Sequence, residues 1–271
     1  MKNSCFIKIT TVAFLFVLMA ASIISCKKKD PELTLPPSSS MAIEVGNFWD
    51  GTAKLAGTAT DTTKSNLIFA GTNVLVWNVI LTVGLAVPVA SFAESFKHQA
   101  EWNKKSKDWV WSYSVPVGND SYSCKLHGKE DGDNVNWSMH LSKDGGFSDF
   151  IWYTGTSKKD NTSGVWTLND NPTNKTPLLQ IDWTKNSIGT CDIRYTNVVP
   201  GGAENGGYIN YGIASDPVYD AYYYIYNKGQ NNLTSIKWNR SSMAGRVLDQ
   251  FHFSDSQWHC WNTVLVNDTC Q

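Results

Sequence analysis

The chain has 271 residues, a formal charge of −1 and 42% apolar residues. That balance supplies no basic field to attract nucleic acid. The distinctive count is 12 tryptophans, beside 11 tyrosines and 11 phenylalanines, so broad aromatic surfaces must be either covered or used.

Lys2 and Lys8 flank the start of an almost wholly apolar run, Ile9 to Ile24, the charge-then-apolar order of a secretory leader. The run ends in Ile23-Ile24-Ser25-Cys26: aliphatic residues, a small residue, then cysteine. This resembles the lipobox of bacterial lipoproteins. The resemblance implies a signal peptide over 1–25, cleavage before Cys26, lipid on the Cys26 thiol, and anchorage to the outer membrane on either face. An uncleaved membrane anchor is the alternative, although the run is short for a span. Lys27-Lys28-Lys29-Asp30 is similar to the charged tethers of outer-membrane lipoproteins, and Pro31 to Ser40 is rich in Pro and Ser. Residues 26–40 are therefore expected to form a flexible tether. Residues 41–271 remain for a single β-rich domain, long enough for a real core.

Within that domain, 41–104 reads as a helical or irregular cover. Leu67 to Phe96 carries no charge from Leu67 to Ala93. Asp61-Thr62-Thr63 suits a helix cap and also resembles an acceptor motif of periplasmic O-glycosylation. Gly84 and Pro88 predict a break, giving one kinked helix or two short ones. Three roles compete for the segment: a cover buried on a sheet, a movable lid over a cavity, or a second membrane span.

Residues 105–271 alternate in short runs separated by turn residues. The runs are Trp109–Val115, Ser121–Gly128, Val135–Leu141, Phe150–Thr154, Val165–Leu168, Leu178–Trp183, Cys191–Asn197, Tyr208–Tyr211, Tyr219–Asn227, Thr234–Asn239, Arg246–Phe251 and Trp258–Val264. Short, regularly spaced strands with short connections predict sequential antiparallel pairing. A turn at Gly118-Asn119 sets Trp111 opposite Leu126. A turn at Asp131-Gly132 sets Leu126 opposite Trp137, His127 opposite Asn136 and Ser123 opposite His140. A turn at Asp144-Gly145 sets Trp137 opposite Trp152. All three keep one apolar face, on which Trp109, Trp111, Trp137, Trp152, Trp166 and Trp183 fall. The Tyr222-Tyr223-Tyr224 run leaves the later register open.

Each buried tryptophan removes roughly 200 Å² from water, so something apolar must cover that face. The Leu67–Phe96 segment is the candidate. The fold class expected is mainly β: a curved antiparallel up-and-down meander of about 11–12 strands, a half-barrel or open barrel, with the apolar helical segment packed on its concave face. Such an arrangement resembles the half-barrels of Lol-type lipoprotein carriers, which hold acyl chains between sheet and helices. The resemblance implies a ligand pocket lined by Val76, Trp77, Ile80, Trp109, Trp111, Trp137 and Trp152.

Catalytic motifs are absent from the sequence. His98, His127, His140, His252 and His259 make no HExxH or other metal-ligand spacing, and there is no G-x-S-x-G elbow and no P-loop. No catalytic residue, metal or cofactor is expected. The chain therefore reads as a non-catalytic envelope lipoprotein, structural or binding an apolar ligand or lipid, with the membrane as partner through its anchor. One alternative is glycan capture by Tyr153, Tyr219, Tyr223 and Trp238. Another is glycosidase-like chemistry on Asp149, Asp182, Asp192 or Asp220. Cys260 and Cys270, joined by a loop of about ten residues that folds back easily, are expected to form a disulfide. Cys124 and Cys191 lie about five strand spacings apart, roughly 24 Å on a flat sheet, and are expected to be buried free thiols.

Overall fold

The computed structural model describes residues 32–42, Phe48 and 62–270. The leader, Cys26, the charged tether and Asp61 lie outside the described residues.

Among the described residues, two α-helical segments of ten residues or more precede the sheet: α1, Ser65–Gly84, and α2, Ala86–Ser95. They are two helices because the chain breaks at Leu85, directly after Gly84. Pro88 then sits in the first turn of α2, where a missing N–H costs little. Fourteen strands follow. They are β1 (Glu101–Asn103), β2 (Asp108–Val117), β3 (Asp120–Asp131), β4 (Asn134–Lys143), β5 (Phe150–Lys158), β6 (Ser163–Asn169) and β7 (Pro177–Lys185), then β8 (Cys191–Asn197), β9 (Tyr208–Ile213), β10 (Ala221–Asn227), β11 (Asn232–Trp238), β12 (Gly245–Leu248), β13 (His259–Trp261) and β14 (Asn267–Asp268). Every strand pairs antiparallel with its sequence neighbour, in one open sheet running from β1 to β14. The up-and-down meander expected from the sequence is therefore the fold. The short strands β1 and β14 are additions at its two edges. The run expected to continue through Phe251 instead stops at Leu248, where Asp249 caps a one-turn helix, α3 (Gln250–Phe253), by accepting from the His252 backbone N–H.

The first hairpin has the predicted register, Trp111 opposite Leu126. The second is displaced by two residues: Leu126 faces Met139, Gly128 faces Trp137, His127 faces Ser138 and His140 faces Lys125. Its loop is Gly132-Asp133, with Gly132 at φ 59°, and the first hairpin likewise puts Gly118 (φ 61°) first in its loop. Glycine in the first loop position is the requirement of a two-residue type II′ turn, so the glycine, not the Asp-Gly dipeptide, sets the register. The third hairpin differs more. Its loop runs from Asp144 to Asp149, and the pairing shifts between Met139 and His140. Trp137 consequently faces Gly155, and Met139 faces Tyr153. Tyr153 is fully buried, whereas Trp152 is half-buried among Phe147 and Phe150. The alternation nevertheless kept the face: Trp109, Trp111, Trp137, Trp166 and Trp183 are all at most 3% exposed.

Trp137, Trp166, Trp183 and Trp261 fit because glycines oppose them. Gly128 faces Trp137, Gly155 faces Trp166, Gly164 faces Trp183 and Gly245 faces Trp261. In each pair the indole lies across the neighbouring strand, so close that a Cβ on the glycine would come within 2.2–2.6 Å of a ring carbon. A flat ring over a bare backbone lets the sheet curl tightly while its concave face stays filled. Tyr223 closes the later register: it is the inward residue of its triplet, and Tyr222 and Tyr224 stack on each other on the outer face, 4.7 Å apart.

The folded unit begins at Leu33 rather than Met41. Leu33 and Leu35 pack against the core, Trp166 Nε1 donates to Ser40 Oγ, and the Tyr195 hydroxyl donates to the Met41 carbonyl. Part of the expected tether is thus a plug on the concave face.

The helices cross that face. Leu67, Ala70 and Val74 of α1 are buried, and the helix rests mainly on β12, β13 and β14, while α2 rests on β2 and β3. The start of α1 has no side-chain cap of its own. Asn267 supplies one from the other end of the chain: its Oδ1 accepts from the Asn66 N–H, and its Nδ2 donates to the Thr62 carbonyl and Ser65 Oγ. The Cys260–Cys270 disulfide brackets Asn267. Closing so short a loop contributes roughly 2–3 kcal/mol and holds the cap in place. Cys124 and Cys191 are buried free thiols; burial pushes the Cys124 thiol up to about 12, so neither is set up as a nucleophile.

Candidate functional site: a cleft between helix and sheet rim

α1 is anchored at its first turns and α2 at the opposite margin of the sheet, so the helical segment bridges the middle of the concave face. A cleft of about 660 Å³ opens beneath that bridge, within the ~300–1,000 Å³ of ordinary ligand pockets. One wall is α1: Phe69, Asn73, Val76, Trp77, Ile80 and Leu81. The other is one rim of the sheet, where odd strands start and even strands end: Leu178 and Leu179 of β7, Asn197 of β8, Ile225 to Asn227 of β10, and Asn232 and Thr234 of β11. Phe251 and His252 of α3 close one end. There Phe69 stacks on the His252 ring at 3.8 Å, which pins α1 to the rim.

The lining is mixed: buried Leu179 and Ile225 stand with buried Thr234 and Asp249, and Glu204, Asn227 and Gln230 are exposed. Val76 and Ile80 are 54% and 53% exposed and Phe251 is 67% exposed, an unusual surface for a water-soluble wall. Asp249 lies buried in the rim, its carboxylate taking two hydrogen bonds from the Asn232 amide, one from the Thr234 hydroxyl and one from the His252 backbone. Those donors satisfy a carboxylate buried away from water. Glu204 is an exposed part of the lining and, among the described residues, its carboxylate accepts one long bond, from the Gly229 N–H.

Of the residues expected to line a pocket, Val76, Trp77 and Ile80 line this one. Trp109, Trp111, Trp137 and Trp152 do not. They belong to the part of the sheet beside α2, where Trp111 packs on Trp137 and Trp137 on Trp166, while Phe92 of α2 packs on Trp166. Face parity places a residue on the concave side; where along the strand the helix lifts off is a separate, long-range matter. Asn197 and Asn232 at strand ends, Glu204 in the β8–β9 loop and Asp249 after β12 carry no signal in the sequence, because polar residues at strand ends and in loops are common.

Most of the other candidate groups have partners within the fold, although Asp149 is largely exposed. Tyr153, Tyr223 and Trp238, three of the four rings of a sugar platform, are buried. Asp220 pairs with Arg240, Asp182 accepts from Gln180, and Asp192 accepts from Asn186 and the Ile213 N–H. On the outer face His127 and His140 lie 4.9 Å apart, each with Nδ1 against a carboxylate, Asp108 and Asp149. Among the described residues no three histidine, cysteine or acidic side chains converge as a metal site.

The segment Thr62–Thr82 is long and apolar enough to cross a membrane by length and composition alone. Its buried face on β12–β14 and its cap from Asn267 tie it to the sheet. No protein-family model, no curated protein and no solved structure matches the chain.

Proposed function

We propose that this chain is a non-catalytic, lipid-anchored envelope protein, held at the outer membrane through Cys26, that carries an apolar ligand in the cleft beneath α1. The reading is supported above all by one observation: Val76 and Ile80 face an open cleft although each would gain roughly 1.5–3 kcal/mol from full burial. A ligand chain laid between α1 and Ile225 provides that burial. The polar rim then meets the end of the ligand that remains in water.

The test is binding of the neutral fluorescent probe N-phenyl-1-naphthylamine to delipidated full-length protein. Val76→Glu with Ile80→Glu is expected to weaken binding about tenfold or more, the equivalent of ~1.4 kcal/mol. Both positions are exposed, so unfolding should shift by no more than ~0.5 kcal/mol per site. Unchanged affinity in the folded double variant would remove the cleft as the binding site.

A further inference from the structure

Resting on that reading, we infer that the cleft selects its ligand by headgroup charge, taking amphiphiles with a cationic or uncharged hydrogen-bond-donating head and rejecting carboxylate and phosphate heads. The charged lining carries the inference. Glu204 and Asp249 both line the cleft, and no lysine or arginine does. Among the described residues, no basic side chain lies within ion-pair distance of either carboxylate. Lys228 belongs to the same β10–β11 turn as Gln230, yet only Gln230 reaches the lining.

The two acids do different things. Asp249 is buried and its lone pairs are taken by Asn232, Thr234 and the His252 N–H, so it contributes a fixed negative charge rather than a binding group. Glu204 is exposed and nearly unengaged, so its oxygens are available to accept from an ammonium or a hydroxyl. The remaining polar lining is largely amide: Asn73, Asn197, Asn227, Gln230 and Asn232. Amides can donate or accept, so they accommodate either polarity; the His252 ring is engaged by Phe69 and Phe253, and the carboxylates set the sign. Because the cleft wall is partly shielded from water, a head bearing negative charge meets repulsion there that bulk solvent would have screened.

The experiment compares monomeric dodecylamine, dodecyl maltoside and dodecanoate, matched in chain, as competitors of N-phenyl-1-naphthylamine on the full-length protein. Dodecylamine and the maltoside are expected to displace the probe at least about tenfold more tightly than dodecanoate. Glu204→Lys is expected to close or reverse that gap, and its exposed position leaves the fold intact. Equal or tighter binding of dodecanoate to the native protein would overturn the selectivity while leaving the cleft as a binding site. A gap that survives Glu204→Lys unchanged would overturn the assignment of selectivity to Glu204. Failure of the probe itself to bind would instead overturn the cleft reading, and the selectivity with it.

Discussion

Replacing Trp137 with alanine is expected to cost about 3–5 kcal/mol, the range for a large aromatic removed from a close-packed core. Trp137 is 3% exposed, packs on Trp111 and Trp166, and lies over Gly128. Its Nε1 also donates to Ser157 Oγ at 2.9 Å, a hydroxyl that is itself buried. Alanine therefore leaves both a cavity that bare Gly128 cannot fill and a hydroxyl without that donor. His140→Ala, at the pairing shift but on the outer face, is expected to fall within about 0.5 kcal/mol. Chemical denaturation of the two variants decides the matter. Similar losses from both would mean that the concave face is not the packed one.

Gly155→Val is expected to destabilise by roughly 3 kcal/mol, the upper end of ordinary overpacking. Two effects oppose each other at this site. Valine favours extended backbone, a gain spanning at most ~1 kcal/mol. Against it, any Cβ at position 155 would stand 2.2 Å from the Trp166 ring and 2.6 Å from the Val165 carbonyl oxygen. The ring could rotate away only by leaving the core, and the oxygen could move only by opening the β5–β6 ladder. The steric effect is larger and sets the sign. Gly146→Ala is the control, since its nearest contacts are at 3.4 Å, and thermal unfolding should barely register it. A Gly155→Val protein as stable as the native one would show that Trp166 does not lie across the neighbouring strand.

How far the sequence carried depends on how local each determinant is. Alternation along Trp109–Val115 or Cys191–Asn197 involves side chains two residues apart, and it assigned the concave face correctly. Register needed the identity of the first loop residue, and Gly132 supplies it once the type II′ requirement is applied. The pairing shift between Met139 and His140 involves neither glycine nor proline, so nothing in the chain announces it, and alternation points to Trp152 where the structure buries Tyr153. The cleft was half legible. Val76, Trp77 and Ile80 stood out as apolar residues in search of cover, but the opposite wall depends on where α1 is tied down. That tie is Asn66 to Asn267, 201 residues apart, and no pattern within either segment encodes it. The disulfide was legible because its geometry is short-range: Cys260 and Cys270 lie 5.3 Å apart at Cα.

The most direct measurement is photo-cross-linking with a long-chain alkylamine carrying a diazirine at the end of its chain, followed by peptide mapping of the full-length protein. If the cleft beneath α1 is the ligand site, label should concentrate on the α1 segment around Val76 to Leu81 and on the facing strand end around Ile225, and unlabelled dodecylamine should remove it. Label confined to the outer face of the sheet, or label on α1 that no competitor removes, would contradict the reading.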